Sequence, residues 1–193
     1  DMVLVPQKEL LFSVDINSES IKSILSLKID ADITTVLFKE EVWQTNKHNE
    51  KLIVTSGGFD PLHVGHLRCL IESANITNST HARAKLAVIV NGDGFLLRKK
   101  GYAFMPAKER MEIIAGIRGV DYVVPWDDGG QTVTGALEIL QPLIFTKGGD
   151  RDTVASVPEF DLCERIGTTV LFGIGGDKIQ SSSDLVRAIK ENK

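Results

Sequence analysis

From Lys51 onward, short β-branched apolar runs alternate with helix-period stretches, and this alternation constrains the fold more than any other feature of the chain. Runs at 51–56, 85–91, 121–125, 143–147 and 168–172 predict strands. Each carries few polar interruptions, as parallel strands covered on both faces require. Helical patterns fall between and after them at 64–75, 106–117, 131–140, 158–166 and 182–192. Pro106 suits a helix first turn, with Glu109 and Glu112 adding acidic charge near that N-terminus. Repeated βαβ units imply right-handed crossovers and an α/β, Rossmann-like, doubly wound parallel sheet. Five strands fit the order 3-2-1-4-5, with ligands expected at the carboxyl ends of the strands near the switch point.

Residues 1–48 stand outside the alternation and read as a small N-terminal appendage to a main domain over 51–193. Ile21, Ile24 and Leu25 make a short amphipathic stripe, 34–38 is a strand candidate, and the polar segment 44–50 reads as a linker. No chemistry is legible there, and packing on the core or on a second subunit is its expected role.

At 193 residues the chain can bury one good core. A net charge of −4 gives no global field toward nucleic acid or anionic membrane, so any phosphate-binding charge must be local. Cys69 and Cys163 are too few for a disulfide framework, and Cys69 reads as a buried thiol. No apolar run approaches the ~20 residues that span a bilayer, and residues 1–16 lack a basic n-region, so a cytoplasmic location is expected. Two sequons, at Asn75 and Asn78, fall in what reads as a polar loop and are expected to be chance occurrences.

The chemistry begins at Gly57-Gly58-Phe59-Asp60-Pro61-Leu62-His63-Val64-Gly65-His66. A strand enters a glycine-rich turn that opens onto a helix, where unpaired backbone N–H groups and the helix dipole favour anions. His63 and His66, three apart, can converge on one phosphate, and Gly65 between them keeps the approach open. Asp60 is expected to tie down the turn through backbone N–H groups, and Phe59 to anchor it in the core. Nucleotidyl transfer needs donors and positive charge aimed at an α-phosphate as it becomes five-coordinate.

The decapeptide resembles the G-x-F-D-x-x-H-x-G-H motif of the cytidylyltransferase-like nucleotidyltransferase superfamily, and the resemblance covers roughly 51–190. It implies that His63 and His66 contact the triphosphate and stabilise the transition state, while Gly57, Gly58, Phe59, Asp60 and Gly65 build the nucleotide site. Ser181-Ser182-Ser183 looks like the family's serine/threonine motif before the last helix, offering caps and phosphate donors. Gln180 stands where a small apolar residue is usual, and Arg187 lies one position past the basic residue of many members. The basic loop Arg98-Lys99-Lys100 matches one whose lysine reaches the phosphates in sugar- and polyol-phosphate members, and Lys100 is the choice here. Asp93 and Arg110 become candidate acceptor contacts, Arg110 serving either the acceptor or the fold. Lys147-Gly148-Gly149-Asp150 resembles the K-G-G-D of heptose-phosphate adenylyltransferases and, less closely, the G-D-D-W of glycerol-phosphate cytidylyltransferases. Its glycines would admit a base edge, and Asp150 would accept from an exocyclic amine.

The implied reaction joins CMP or AMP from an NTP to a sugar or polyol phosphate, releasing pyrophosphate. Magnesium would travel with the nucleotide, with no dedicated metal cluster in the protein. The resemblance also implies a homodimer. Activity is expected to respond to pH near the ordinary histidine pKa of ~6.5. Two other readings stay open: adenylyl transfer to a cofactor precursor of the nicotinamide-mononucleotide type, and a non-catalytic nucleotide-binding module.

Overall fold

A computed structural model describes residues 51–80, 84–149 and 153–191. The expected appendage, its stripe, its strand and its linker therefore lie outside the described residues, as does Asp150. Five parallel strands form one sheet in the order β3-β2-β1-β4-β5, as the alternation required. They are β1 (Leu52–Gly57), β2 (Lys85–Asn91), β3 (Tyr122–Trp126), β4 (Ile144–Gly149) and β5 (Thr169–Asp177). The helices are α1 (Val64–Thr80), α2 (Asp93–Lys100), α3 (Ala107–Ala115), α4 (Thr134–Leu140), α5 (Phe160–Ile166) and α6 (Ser182–Glu191).

Both sheet faces are covered. Val54, Ile89 and Phe145 pack with α4 and α5 on one face, and Ile53, Val88 and Leu70 pack with α1 and α3 on the other. Such two-sided cover explains why the strands read as continuous apolar runs. β1 pairs with β2 from Leu52↔Lys85 to Gly57↔Val90 and with β4 at Ile53↔Ile144. The order reverses between β1 and β4, and the candidate site opens at their carboxyl ends.

Four expectations change. The basic stretch 98–100 is not loop but the last turn of α2, closed by Gly101 in the left-handed region at φ 79°. Asp93 in its first turn and the three cations in its last suit the helix dipole. Asp127 accepts from Phe95 N at 2.8 Å and pairs with Arg98, capping the helix from outside. The region of the sequons is not loop either, because α1 continues to Thr80. β5 does not stop at 172 but runs to Asp177 through register shifts against β4. Gly173, Gly175 and Gly176, with φ of 69°, 90° and 76°, permit that path. Cys163 is buried and its thiol is pushed up to about 11 by that burial, whereas Cys69 is only half-buried, its pKa raised chiefly by desolvation. Among the described residues no helix is long and apolar enough to cross a membrane.

Candidate active site

The turn after β1 is assembled from afar. Phe59 is 5 % exposed and sits at φ 51°, unusual for a residue with a side chain. Its ring folds back over Gly57, where a Cβ would lie 3.0 Å from Cζ. Asp60, fully buried, does hold backbone N–H groups, but not those of its own turn. It accepts from Phe104 N at 2.8 Å and Met105 N at 2.7 Å, pinning the α2–α3 connection beneath the turn. The Asp60–Pro61 peptide is cis.

From this base the histidines are presented as a stack, ring centroids 3.8 Å apart and 24° from parallel. His66 also meets the Phe59 ring edge-on at 5.1 Å. His63 N donates to His66 Nδ1 at 3.3 Å, and Gly65 N donates to His63 Nδ1 at 3.1 Å. An Nδ1 that accepts a hydrogen bond carries no proton, so each neutral ring bears its proton on Nε2. The pair is thereby set as two Nε2–H donors. Gly65 lines the cleft, and its bare Cα also leaves room for the His63 ring. A Cβ there would lie 3.0 Å from His63 Cε1, so the ring would have to give by a few tenths of an ångström.

Electrostatics keep both rings neutral. Burial, then His63, then Lys100 lower His66 to about 3. Burial, Lys100 and Lys178 lower His63. The expected titration near 6.5 is thus moved to acid in the ligand-free site.

The histidines open into a cleft of about 370 Å³. Lys100, Gly148, Gly149 and Ser181–Ser183 line it with them, joining motifs from four separate stretches of chain. Ser181 Oγ donates to Asp184 Oδ2 at 2.6 Å and accepts from Asp184 N at 3.1 Å, a reciprocal cap for α6. Ser182 Oγ donates to Pro61 O at 2.9 Å, tying α6 to the histidine turn. Ser183 Oγ accepts from Tyr102 at 3.4 Å. The hydroxyls of Ser181 and Ser182 therefore fasten the wall, and the leading N–H groups of α6 supply its anion-favouring character.

Several candidates sit elsewhere. Gly57, Gly58, Phe59 and Asp60 support the cleft from behind rather than lining it. Lys147 turns to the opposite sheet face, 3.2 Å from Ser56 Oγ, 3.5 Å from Glu159 Oε2 and 4.2 Å from the centre of the Phe145 ring. Arg110 is fully enclosed. It donates to Met105 O, Gly58 O, Asn91 O and Asp93 Oδ1 at 2.9, 2.6, 2.7 and 2.6 Å. Asp93 is thus Arg110's partner outside the cleft. Arg187 points outward, paired with Asp184 at 2.6 Å and Glu191 at 3.9 Å.

The sequence reading missed the end of β5 and the loop beyond it, where Gly175, Gly176, Asp177, Lys178, Ile179 and Gln180 complete the cleft. Their signal is Gly173, Gly175 and Gly176, three glycines within four residues just past the apolar run at 168–172. A Cβ on Gly175 would lie 2.7 Å from Cys69 N, and one on Gly149 would lie 1.9 Å from Gly176 O. Gly175 N donates to Glu72 Oε2 at 2.7 Å. The end of β5 is therefore clamped between β4 and α1.

A family model described as cytidylyltransferase-like matches residues 54–191. The chain is 33% identical over 132 residues to the "Bifunctional protein HldE" of Hahella chejuensis, covering 67% of this chain and 24% of that protein. It is 29% identical over 163 residues to the protein of the same name from Cronobacter sakazakii, covering 80% and 31%. The chain thus spans about a quarter to a third of the length of these curated relatives. A solved lipopolysaccharide core biosynthesis protein from Thermoplasma volcanium overlays with a TM-score of 0.48 at 24% identity, covering 64% of this chain and 93% of that one.

Proposed function

The chain belongs to the cytidylyltransferase-like family, and from that premise we propose that it transfers CMP or AMP from an NTP to a sugar or polyol phosphate, releasing pyrophosphate. The observation that carries this reading is the convergence of two Nε2–H donors, the Lys100 ammonium and the N-terminus of α6 on one cleft. All are cationic or donor groups, the complement of a triphosphate. The resemblance of Lys147-Gly148-Gly149-Asp150 to the turn of heptose-phosphate adenylyltransferases favours sugar phosphates among possible acceptors.

The acceptor's phosphate oxygen is already an anion, so no general base is needed. It attacks the α-phosphorus in line as the bond to the β-phosphoryl oxygen breaks. His63 and His66 donate from Nε2 to the oxygens on which charge develops, and Lys100 adds a fixed positive charge. Their neutrality does not weaken this role, because a donor fixed in place needs no reorganisation at the moment of reaction. Among the described residues Asp177 is the carboxylate lining the cleft, which suits magnesium held mostly by phosphates and water. Bound there with the nucleotide, the ion would offset phosphate charge. The homodimer remains part of the proposal.

The test is pyrophosphate release from each NTP across a panel of sugar and polyol phosphates. His63→Ala and His66→Ala are each expected to lower kcat by about 10²–10³-fold with folding intact. Near-normal turnover in both variants overturns the assignment. Release dependent on nicotinamide mononucleotide alone would move the acceptor to the cofactor class, and nucleotide binding without turnover would leave a binding module.

A further inference from the structure

Two ammonium groups line the cleft, one from each side. Lys100 ends α2, and Lys178 follows β5 in the segment leading to α6. Both lie near enough to His63 to lower its pKa. Among the described residues, Lys85, Arg98, Arg110, Lys147 and Arg187 each have a carboxylate within salt-bridge distance, whereas Lys100 and Lys178 have none. Neither ammonium is tied up in an ion pair, although Asp177 lines the same cleft and Asp184 lies near enough to feel Lys178, and two such cations beside the rings are poised for an anion of more than one charge.

Lys178 is also held in place by construction. Gly175 fits where no β-carbon would, against the backbone of Cys69, and its N–H is fixed by Glu72. Gly149 and Gly176 close the other side. Five residues beyond Gly176 comes Ser181, whose cap on Asp184 fixes the start of α6. Lys178 therefore sits on a short span tied at both ends. Arg187, the cation further along the same stretch, is tied to Asp184 and Glu191 outside the cleft.

We propose that Lys178 holds the terminal phosphates of the bound NTP and then the departing pyrophosphate, acting across the cleft from Lys100. The inference rests on the nucleotidyl-transfer reading above. As the acceptor oxygen bonds to the α-phosphorus, the bond from that phosphorus to the bridging oxygen breaks. The electron pair stays on that oxygen, which becomes a terminal oxyanion of pyrophosphate. No proton, metal ligand or further reactant is needed for Lys178 to stabilise it.

The test compares Lys178→Ala, Lys178→Arg and Lys85→Ala, the last removing the same charge at the far end of the strands. Binding of inorganic tripolyphosphate and of nucleoside monophosphates is measured by calorimetry, alongside steady-state pyrophosphate release. Lys178→Ala should weaken tripolyphosphate at least tenfold, shift monophosphate affinity less than twofold and lower kcat. Lys178→Arg should recover most of the loss, and Lys85→Ala should match wild type. The Lys178 side chain is exposed, so the unliganded melting temperature should hold. Tripolyphosphate affinity within twofold of wild type in Lys178→Ala, while His63→Ala abolishes turnover, overturns the role of Lys178 and leaves the activity standing. Wild-type protein that binds tripolyphosphate but releases no pyrophosphate from any NTP overturns the activity, and with it the leaving-group role.

Discussion

Replacing Arg110 with methionine is expected to destabilise the fold rather than weaken the grip on an acceptor. The guanidinium has no exposed surface and makes four hydrogen bonds of 2.6–2.9 Å, three of them to backbone carbonyls. Those carbonyls come from the turn after β1, the end of β2 and the α2–α3 connection, so one side chain joins the three pieces beneath the histidine turn. Each charge-assisted bond contributes about 1.5–3 kcal/mol net, and a buried acceptor left bare costs about 1–3 kcal/mol. The sum overstates the loss because water and relaxation recover part of it. Three bared carbonyls at that rate sum to about 3–9 kcal/mol, and after that discount we expect about 4 here. For a chain of this size that lowers the melting temperature by about 8–16 °C. Arg110→Lys, which keeps the charge but cannot fork to all its acceptors, should lose about half as much. Asp93→Ala should lose under about 1 kcal/mol, because Asp93 is 44% exposed and its pair is screened. Urea unfolding followed by far-UV circular dichroism gives the three values, and pyrophosphate-release kinetics give the acceptor KM. Arg110→Met that loses less than about 1 kcal/mol but raises acceptor KM tenfold refutes this reasoning and returns Arg110 to the acceptor.

Acid should test the neutrality of His66. The unfolded chain takes up a proton near pH 6.5, but folded His66 does so only at about 3. Stability should therefore fall as pH drops from 6.5 toward 3, by up to about 1.4 kcal/mol per unit from this residue. His66→Asn should flatten that slope, and an unchanged slope between pH 6 and 4 would contradict the lowered pKa. For the pair on the other sheet face, Lys147→Met should cost about 3 kcal/mol by stranding the Glu159 carboxylate. Lys147→Met combined with Glu159→Leu should recover at least half of it, and strictly additive losses in a double-mutant cycle would show that the two do not interact.

What was legible in the sequence is what local spacing encodes. Five strands could be read because both faces are covered, so the runs are apolar with few polar interruptions. The histidine pair could be read because its parts lie within four residues and its stack is held by bonds inside that span. α2 was hidden because it shows no apolar stripe. Phe95 and Leu96, adjacent in sequence, are its buried pair, and its cap comes from Asp127, more than thirty residues away. Lys147 was misplaced for a similar reason, since nothing near it in sequence announces Glu159 or the opposite sheet face. Asp60 was right in kind but wrong in partner, because its acceptor role is filled 44 and 45 residues downstream. Lys178 was missed because three glycines at positive φ look like a strand's end when they allow it to continue.

The glycine wall has a consequence for how such a site can change. At Gly148–Gly149 and Gly175–Gly176 the cleft presents main chain alone, and at Gly149 and Gly175 no room exists for even a methyl group. A single codon change there does not offer a new functional group to a ligand; it pushes β4, β5 and α1 apart. That side of the cleft is fixed against gradual diversification, and moves only when the length or path of the β5–α6 connection changes. Efforts to redirect nucleotide choice by point substitution should leave the glycines alone and work at Ile179 and Gln180, whose side chains can vary without prying the sheet open.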